Sequence, residues 1–240
     1  MRRIVFAFAL GLMPFFSWAI EKGPELAKAG IDPGDDESLQ RGARIFVNYC
    51  FSCHSASYMR FSRVAEDLSL SDKLVINNLM FVTDKIGNTM NVAMQPKEAE
   101  AWFGVAPPDL SVIARSRGAD WLYSFFTSFY SDPIRPSGVN NLVFKDTAMP
   151  HVLWELQGFQ ELVQEVDAEK KITSLKLATP GKLDEKEYQR TVNDLVNFLV
   201  YLGEPVTQER KRVGFWVLLF LAVFAVITFL LKKEYWKDIH

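Results

Sequence analysis

Cysteine is nearly absent from this chain: 240 residues include two, Cys50 and Cys53. Histidine is scarce too, with His54, His151 and His240 alone. So few thiols and imidazoles leave a structural zinc site short of ligands. A basic excess is also missing. Lysine and arginine number 27 against 29 aspartates and glutamates, a net charge of −2. That balance argues against nucleic acid as a partner. Internal repeats and long low-complexity stretches do not occur. What remains is a chain 49% apolar, enough for one domain with a sizeable core.

Two apolar runs lie at the ends. Residues 1–19, "MRRIVFAFALGLMPFFSWA", read as a signal peptide, with Arg2 and Arg3 as the positive end and Ser17 and Ala19 at the offset for cleavage. The alternative, an N-terminal anchor, is disfavoured by the short run and by Pro14 within it. The second run, residues 213–231, holds 19 residues without a charge. As a helix it spans about 28 Å, close to a hydrocarbon core. It is apolar on every face, which argues against a core helix. Three basic residues flank it on each side, so the signal peptide has to orient it. The expected organisation is a signal peptide at 1–19, a periplasmic domain at 20–209, an anchor at 210–231 and a cytoplasmic tail at 232–240. This places the chain in the inner membrane with a single pass. The exported domain carries 19 basic and 27 acidic residues, about −8. Its acidic runs at 32–37, 165–169 and 184–187 suit a basic partner.

Between these ends the periodicity predicts helices over 37–49, 71–81 and 120–132, the last capped by Asp120 and stopped before Pro133. A strong amphipathic helix follows, with Val192, Leu195, Val196, Leu199 and Leu202 on one face and Gly203 and Pro205 at its end. Leu39, Ala43, Phe46 and Cys50 share a face of the first helix, and Gly42 beside them would let the last helix approach closely. Residues 171–177 are expected to pair as a strand with 161–166. Loops at 87–111 and 131–154 are too long for a compact domain unless something large fills the middle.

The two cysteines and the first histidine form one cluster, "NYCFSCHSA". C-x-x-C-H is the attachment signature of a c-type haem. Three residues of separation let two thiols reach the two vinyl groups on one haem edge, and the next residue aims its imidazole at the iron. A redox dithiol or a disulfide is the alternative outside the cytoplasm. That chemistry belongs at the start of a helix after a strand, whereas this motif ends a helix. A sixth ligand is required for electron transfer, and a thioether raises the potential. Met59, Met80, Met90, Met94, Met149 and His151 are candidates. Met149 stands out because "DTAMPH" places it in a loop, where Pro150 restricts the backbone beside it.

The segments "RGARIFVNYCFSCHSASYMRFSR", "GVAPPDLSVIARSRGADWLYSFFTSFY", "DTAMPHVLWELQG" and "LVNFLVYLGEPVTQERKRVGFWVLL" together resemble the cytochrome c1 family in a bacterial form, over almost all of the chain. The resemblance implies a mainly α, cytochrome-c-like haem domain with long loop insertions and one C-terminal transmembrane helix. It implies one covalently bound haem c, with Cys50 and Cys53 as thioether cysteines, His54 as proximal ligand and Met149 as methionine ligand. Pro107 and Pro108 match a pair packed near the haem. Arg117 matches an arginine that meets a propionate, with Arg115 as a neighbouring candidate, and Trp121 stands where a pocket aromatic is expected. The turn after Arg117 departs from the family's pattern, because Gly118, Ala119 and Asp120 lead directly to Trp121. The implied function is electron transfer in a quinol:cytochrome c oxidoreductase, the cytochrome bc1 complex. Electrons would come from the Rieske iron–sulfur protein and leave to a c-type cytochrome, beside cytochrome b. The alternatives are a haem subunit of another respiratory complex or a periplasmic thiol–disulfide oxidoreductase using Cys50 and Cys53.

Overall fold

A computed structural model describes residues 25–167 and 170–237, without the side chains of 164–173. The expected signal peptide, residues 238–240 and the side chains of the acidic run 165–169 lie outside the described part. In chain order the elements begin with α1 (Asp36–Ile45), β1 (Ala56–Arg60), α2 (Phe61–Asp67), α3 (Asp72–Leu79) and β2 (Thr89–Met90). Then come α4 (Pro96–Phe103), α5 (Ile113–Arg117), α6 (Ala119–Thr127), β3 (Phe129–Ser131) and β4 (Val139–Asn141). The last are α7 (Trp154–Gln157), β5 (Gly158–Asp167), β6 (Lys170–Pro180), α8 (Glu185–Gly203) and α9 (Thr207–Tyr235). The described part is mainly helical, with three two-stranded antiparallel ribbons, β1–β2, β3–β4 and β5–β6.

The centre of the domain is the pair α1 and α8. Asp35 caps α1 by accepting the Ser38 N–H at 3.0 Å. Asp184 caps α8 in a reciprocal box, accepting the Glu187 N–H at 2.8 Å while Glu187 accepts the Asp184 N–H at 3.2 Å. Leu39, Ala43 and Phe46 meet Val192, Leu195 and Leu199, all buried. Each of the larger side chains among these contributes roughly 1.5–3 kcal/mol by leaving water. Arg41 clamps Asp194 across the pair with two hydrogen bonds, 2.6 and 3.0 Å. The fully buried Asn197 donates to the Asp32 carbonyl at 2.7 Å and to Ser38 Oγ at 3.0 Å, tying the lead-in loop and the start of α1 to α8.

Gly42 sits at the crossing, as its place in the sequence implied. A Cβ there would collide with the Asp194 carbonyl and come within 2.7 Å of Phe198 Cβ. The obstacle is backbone, which cannot turn aside. Gly42→Ala is therefore expected to cost at or above the top of the roughly 1–3 kcal/mol typical of overpacking. Gly87→Ala meets nothing within 4 Å and serves as the control in thermal unfolding. Equal stability of the two variants would contradict the close approach.

Three boundaries differ from the sequence reading. The first helix does not run on as a regular α-helix to Tyr49. It widens after Ile45, and the Phe51 N–H reaches back five residues to the Phe46 carbonyl at 2.9 Å. Such bulges collect at functional sites. α6 is not capped by Asp120, whose carboxylate instead accepts the Ala29 N–H at 2.9 Å. α6 also ends at Thr127, because Phe129–Ser131 leaves to pair with Val139–Asn141. The expected strand pair is real and longer, with Leu162 opposite Leu175. Gly158 closes its open end at φ +90, and a Cβ there would meet Gly181 N at 2.6 Å.

α8 passes into α9 within four residues, and an ion pair between Arg210 and Glu204 at 2.6 Å spans the joint. α9 is 29 residues long, and its long apolar stretch is exposed, with none of that stretch buried against the domain. Its length and composition suit a membrane span.

Candidate functional site

The haem motif forms a tight turn where the widened helix ends. The Cys53 and His54 N–H groups both donate to the Cys50 carbonyl, at 3.1 and 2.9 Å. Cys50 is buried and Cys53 partly exposed, and both are free thiols. Burial pushes the Cys50 thiol up to about 12, with the neighbouring Cys53 adding to the effect. The attacking thiol of a redox pair needs a lowered value and an accessible sulfur, so Cys50 is unsuited to that part. The thiol–disulfide alternative finds no support here.

His54 is held from a distant part of the chain. Its Nδ1 lies 2.7 Å from the Pro108 carbonyl. A carbonyl can only accept, so Nδ1 carries the proton and Nε2 keeps its lone pair. This is the arrangement that prepares an imidazole to bind a metal through Nε2. Burial also pushes its pKa down, against the opposing pull of the Pro108 bond and Asp109, which favours the neutral ring.

The Pro108 carbonyl owes its place to the loop around it. Asp109 accepts the Ser57 N–H at 2.9 Å, the Ser57 hydroxyl at 2.6 Å and the Ser111 N–H at 2.8 Å. Burial alone would raise the Asp109 pKa, but the bonds from Ser111 and Ser57 together hold it below the usual carboxylate value. The Leu110 N–H donates to the Ser55 carbonyl at 2.8 Å. The Pro107–Pro108 segment is thus stitched to the residues just after the haem motif.

Cys53 and His54 open onto a cavity of about 440 Å³, walled mainly by apolar side chains. Of the residues singled out from sequence, Pro107, Pro108, Arg117, Trp121 and Met149 join them on its wall. Cys50 lies behind the wall, in the core. Arg115 does not line it either, and its aliphatic stem packs beside Gly203 at the end of α8. Trp121 stacks on Phe125, ring centroids 5.1 Å apart and 7° from parallel. The Arg117 guanidinium stands 5.0 Å from the Trp121 ring and 5.7 Å from that of Phe144. It makes no ion pair among the described residues. The short turn after Arg117 is what brings this about, because Gly118 at φ +87 reverses the chain between α5 and α6.

The other candidates for a sixth ligand fall elsewhere. Met59, Met80 and Met90 are buried in the general core. Met94 lines a separate cavity of about 210 Å³ next to Cys53 and Pro107. His151 is buried, stacked on Phe129 at 4.9 Å, and lies off the wall of the large cavity, although its Nε2 has no hydrogen-bond partner. Met149 is the one methionine on that wall among the described residues. A flat apolar ring system with two acidic tails fits this donor set: an imidazole Nε2, a thioether, two thiols and a free guanidinium.

Several wall residues were not singled out from sequence, among them Tyr49, Phe103 and Phe144. Phe103 and Phe144 are exposed at the mouth, with Trp102 beside Phe103. Their only sequence signal is the surplus of aromatics in loops. Of the acidic runs, 184–187 is largely committed to structure, since Asp184 and Glu187 form the α8 cap.

A model of the cytochrome C1 family matches residues 29–239. A Nitrosomonas europaea protein named ammonia monooxygenase gamma subunit is 50% identical over 241 residues, covering all of both chains. A cytochrome c1 of Allochromatium vinosum is 46% identical over 244 residues, again covering all of both. A cytochrome c1 of Blastochloris viridis is 27% identical over 245 residues, 85% of this chain and 82% of that one.

Proposed function

The chain belongs to the cytochrome c1 family, and from that premise we propose that Cys50 and Cys53 attach its haem and that His54 and Met149 are the axial ligands. Members of the family carry one covalently bound haem c, and the chain is the haem-bearing electron-transfer subunit of a cytochrome bc1 complex. It is anchored in the membrane. One observation carries the residue assignment. The C-x-x-C-H turn and Met149 come from segments nearly a hundred residues apart and meet at one apolar cavity, with His54 Nε2 free.

When bound, haem supplies a site for one reversible electron. The chain's own residues set the terms on which it works. Pro108 fixes the tautomer and aim of His54 and makes it a better donor. The Met149 thioether, being neutral, would favour the reduced state of a haem held there and raise its potential. The apolar wall keeps water from the ring. Arg117 has no carboxylate partner in the described part and is placed to receive a propionate, which a guanidinium meets with two parallel hydrogen bonds. No residue on this wall has to abstract a proton or attack a substrate.

In the proposed path electrons arrive from the Rieske protein and leave to a c-type cytochrome, with cytochrome b beside the anchor α9. The haem domain lies in the periplasm and the residues after α9 in the cytoplasm. The signal-peptide reading supports that orientation. The exposed rings at the cavity mouth, Trp102, Phe103 and Phe144, support docking of the acceptor there, and the domain's negative charge suits a basic one.

A second reading comes from the Nitrosomonas europaea relative, whose name assigns it to a monooxygenase. The two readings give this chain the same haem and different neighbours. Affinity purification of the full chain from detergent-solubilised membranes is expected to bring down cytochrome b and a Rieske protein in equal amounts, with its haem reducible by quinol. Recovery of monooxygenase subunits in their place would overturn the bc1 assignment in favour of the second reading.

A further inference from the structure

Residues 142–150 deliver Phe144, Thr147, Ala148, Met149 and Pro150 to the cavity wall, yet contain no helix or strand. A thioether is a weak neutral ligand. It stays on a metal only where its supports hold it to within about half an ångström. The loop therefore needs another source of rigidity than a backbone ladder.

That source converges on one buried amide. Asn141, 1% exposed at the end of β4, sits at the root of the loop. Its Oδ1 accepts the N–H groups of Val143 and Phe144 at 2.9 and 3.0 Å. Its Nδ2 donates to the Phe125 carbonyl at 2.7 Å, near the end of α6, the helix that carries Trp121 into the same cavity. The neighbouring Asn140 repeats the pattern one step further along. Its Oδ1 accepts the Asp146 N–H at 2.8 Å, and its Nδ2 donates to Asp132 at 3.0 Å. Arg135 closes the outer end, donating to the Asp146 carboxylate at 3.1 Å and to the Asp146 carbonyl at 2.9 Å. Asp146 is held there at φ +63, a conformation a free chain avoids. Thr147 Oγ1 then accepts the Met149 N–H at 3.3 Å. A leucine would fill the volume of Asn141 without the cost of burying an amide. The amide is there for its bonds, and those bonds join the Met149 loop to α6, another part of the cavity wall.

We propose that Asn141 is a positioning residue for Met149: it fixes the sulfur against the haem iron by tying the loop to α6, with Arg135 and Asp146 as the outer clamp. This rests on the reading of Met149 as axial ligand. Loss of the tie lets the sulfur leave while the haem stays attached through Cys50 and Cys53.

The test uses the full chain in its membrane complex and three readouts: haem stain, reduction potential and carbon monoxide binding by the reduced protein. Asn141→Ala is expected to keep the haem stain, lower the potential toward that of Met149→Leu and gain carbon monoxide binding. Destabilisation alone, as in Gly42→Ala, is not expected to confer carbon monoxide binding. A haem-loaded Asn141→Ala protein with the parent potential and no carbon monoxide binding overturns the proposal. If Asn141→Ala does not accumulate with haem, Arg135→Met decides: a smaller fall in potential in the same direction supports the tie, and the parent value overturns it. Met149→Leu separates the two layers. A shift there with none in Asn141→Ala removes only the positioning role, whereas no shift in Met149→Leu removes the ligand assignment and the proposal with it.

Discussion

Replacing Cys50 and Cys53 together by alanine is expected to abolish covalent haem attachment and, with it, the folded domain. These are the chain's only thiols, so nothing else can form the two thioether bonds. The structural consequence is larger than the loss of two bonds. The proposed haem site is a cavity of about 440 Å³ with an apolar wall. Without haem that apolar wall faces water, at roughly 1.5–3 kcal/mol for each large side chain left wet, and several such side chains line it. Their sum is comparable to the whole stability of an ordinary domain, roughly 5–15 kcal/mol. The side chains on the wall come from the widened turn and haem motif after α1, from α4, α5, α6 and α8 and from two loops, so collapse would have to move all of them at once. The measurement is a haem stain after denaturing electrophoresis, together with the visible spectrum of membranes. A stable, folded double variant whose visible absorption matches the parent would refute the attachment site.

Met149→Leu is expected to leave the haem attached and to stop turnover of the complex. Leucine conserves volume and apolarity, so the wall stays packed and the loss of structural stability is small, typically below about 1.5 kcal/mol. What disappears is the sulfur. Without a thioether the oxidised state is favoured and the potential falls. For one electron, each 59 mV is a factor of about ten in the equilibrium constant. A fall of about 120 mV thus disfavours electron arrival from the donor by about a hundredfold. Met94→Leu, in the separate smaller cavity, is expected to change neither potential nor turnover. Potentiometric titration of the two variants decides the matter, and the reverse pattern would show that the "DTAMPH" loop does not bear the ligand.

Some of this molecule is legible in the order of its residues alone. The C-x-x-C-H motif is a purely local device, since the bonds it makes require thiols and an imidazole at fixed short spacing. The face of α1 through Leu39, Ala43 and Phe46 and the face of α8 through Val192, Leu195 and Leu199 are visible as a helical period. The same holds for α9, where an unbroken apolar run can only be satisfied by lipid or by burial. In each case the information lies within one turn or one helix.

The errors have a common cause as well. Asp120 looked like a helix cap because it stands before an apolar run, but its carboxylate serves the Ala29 N–H, 91 residues away. Arg115 was the neighbouring candidate to Arg117, and sequence could not show that a half-turn of α5 places one against Gly203 and the other over Trp121. Met59, Met80, Met90, Met94 and Met149 are the same residue type in sequence. Only their placement separates core packing from the haem cavity.

The sequence by itself determined which chemistry the protein carries, which helices form its centre and which segment suits the membrane. Covalent spacing and hydrophobic period are properties of neighbouring residues, and neighbours are what a sequence displays. Tertiary structure decided which nitrogen of His54 is free, which methionine shares its cavity and which bonds tie that methionine's loop to α6. Those outcomes rest on the Pro108 carbonyl, 54 residues from His54, and on the Asn141 amide, 16 residues from Phe125. Hydrogen bonds from side chain to distant backbone carry no period, and the folded chain alone brings their partners together.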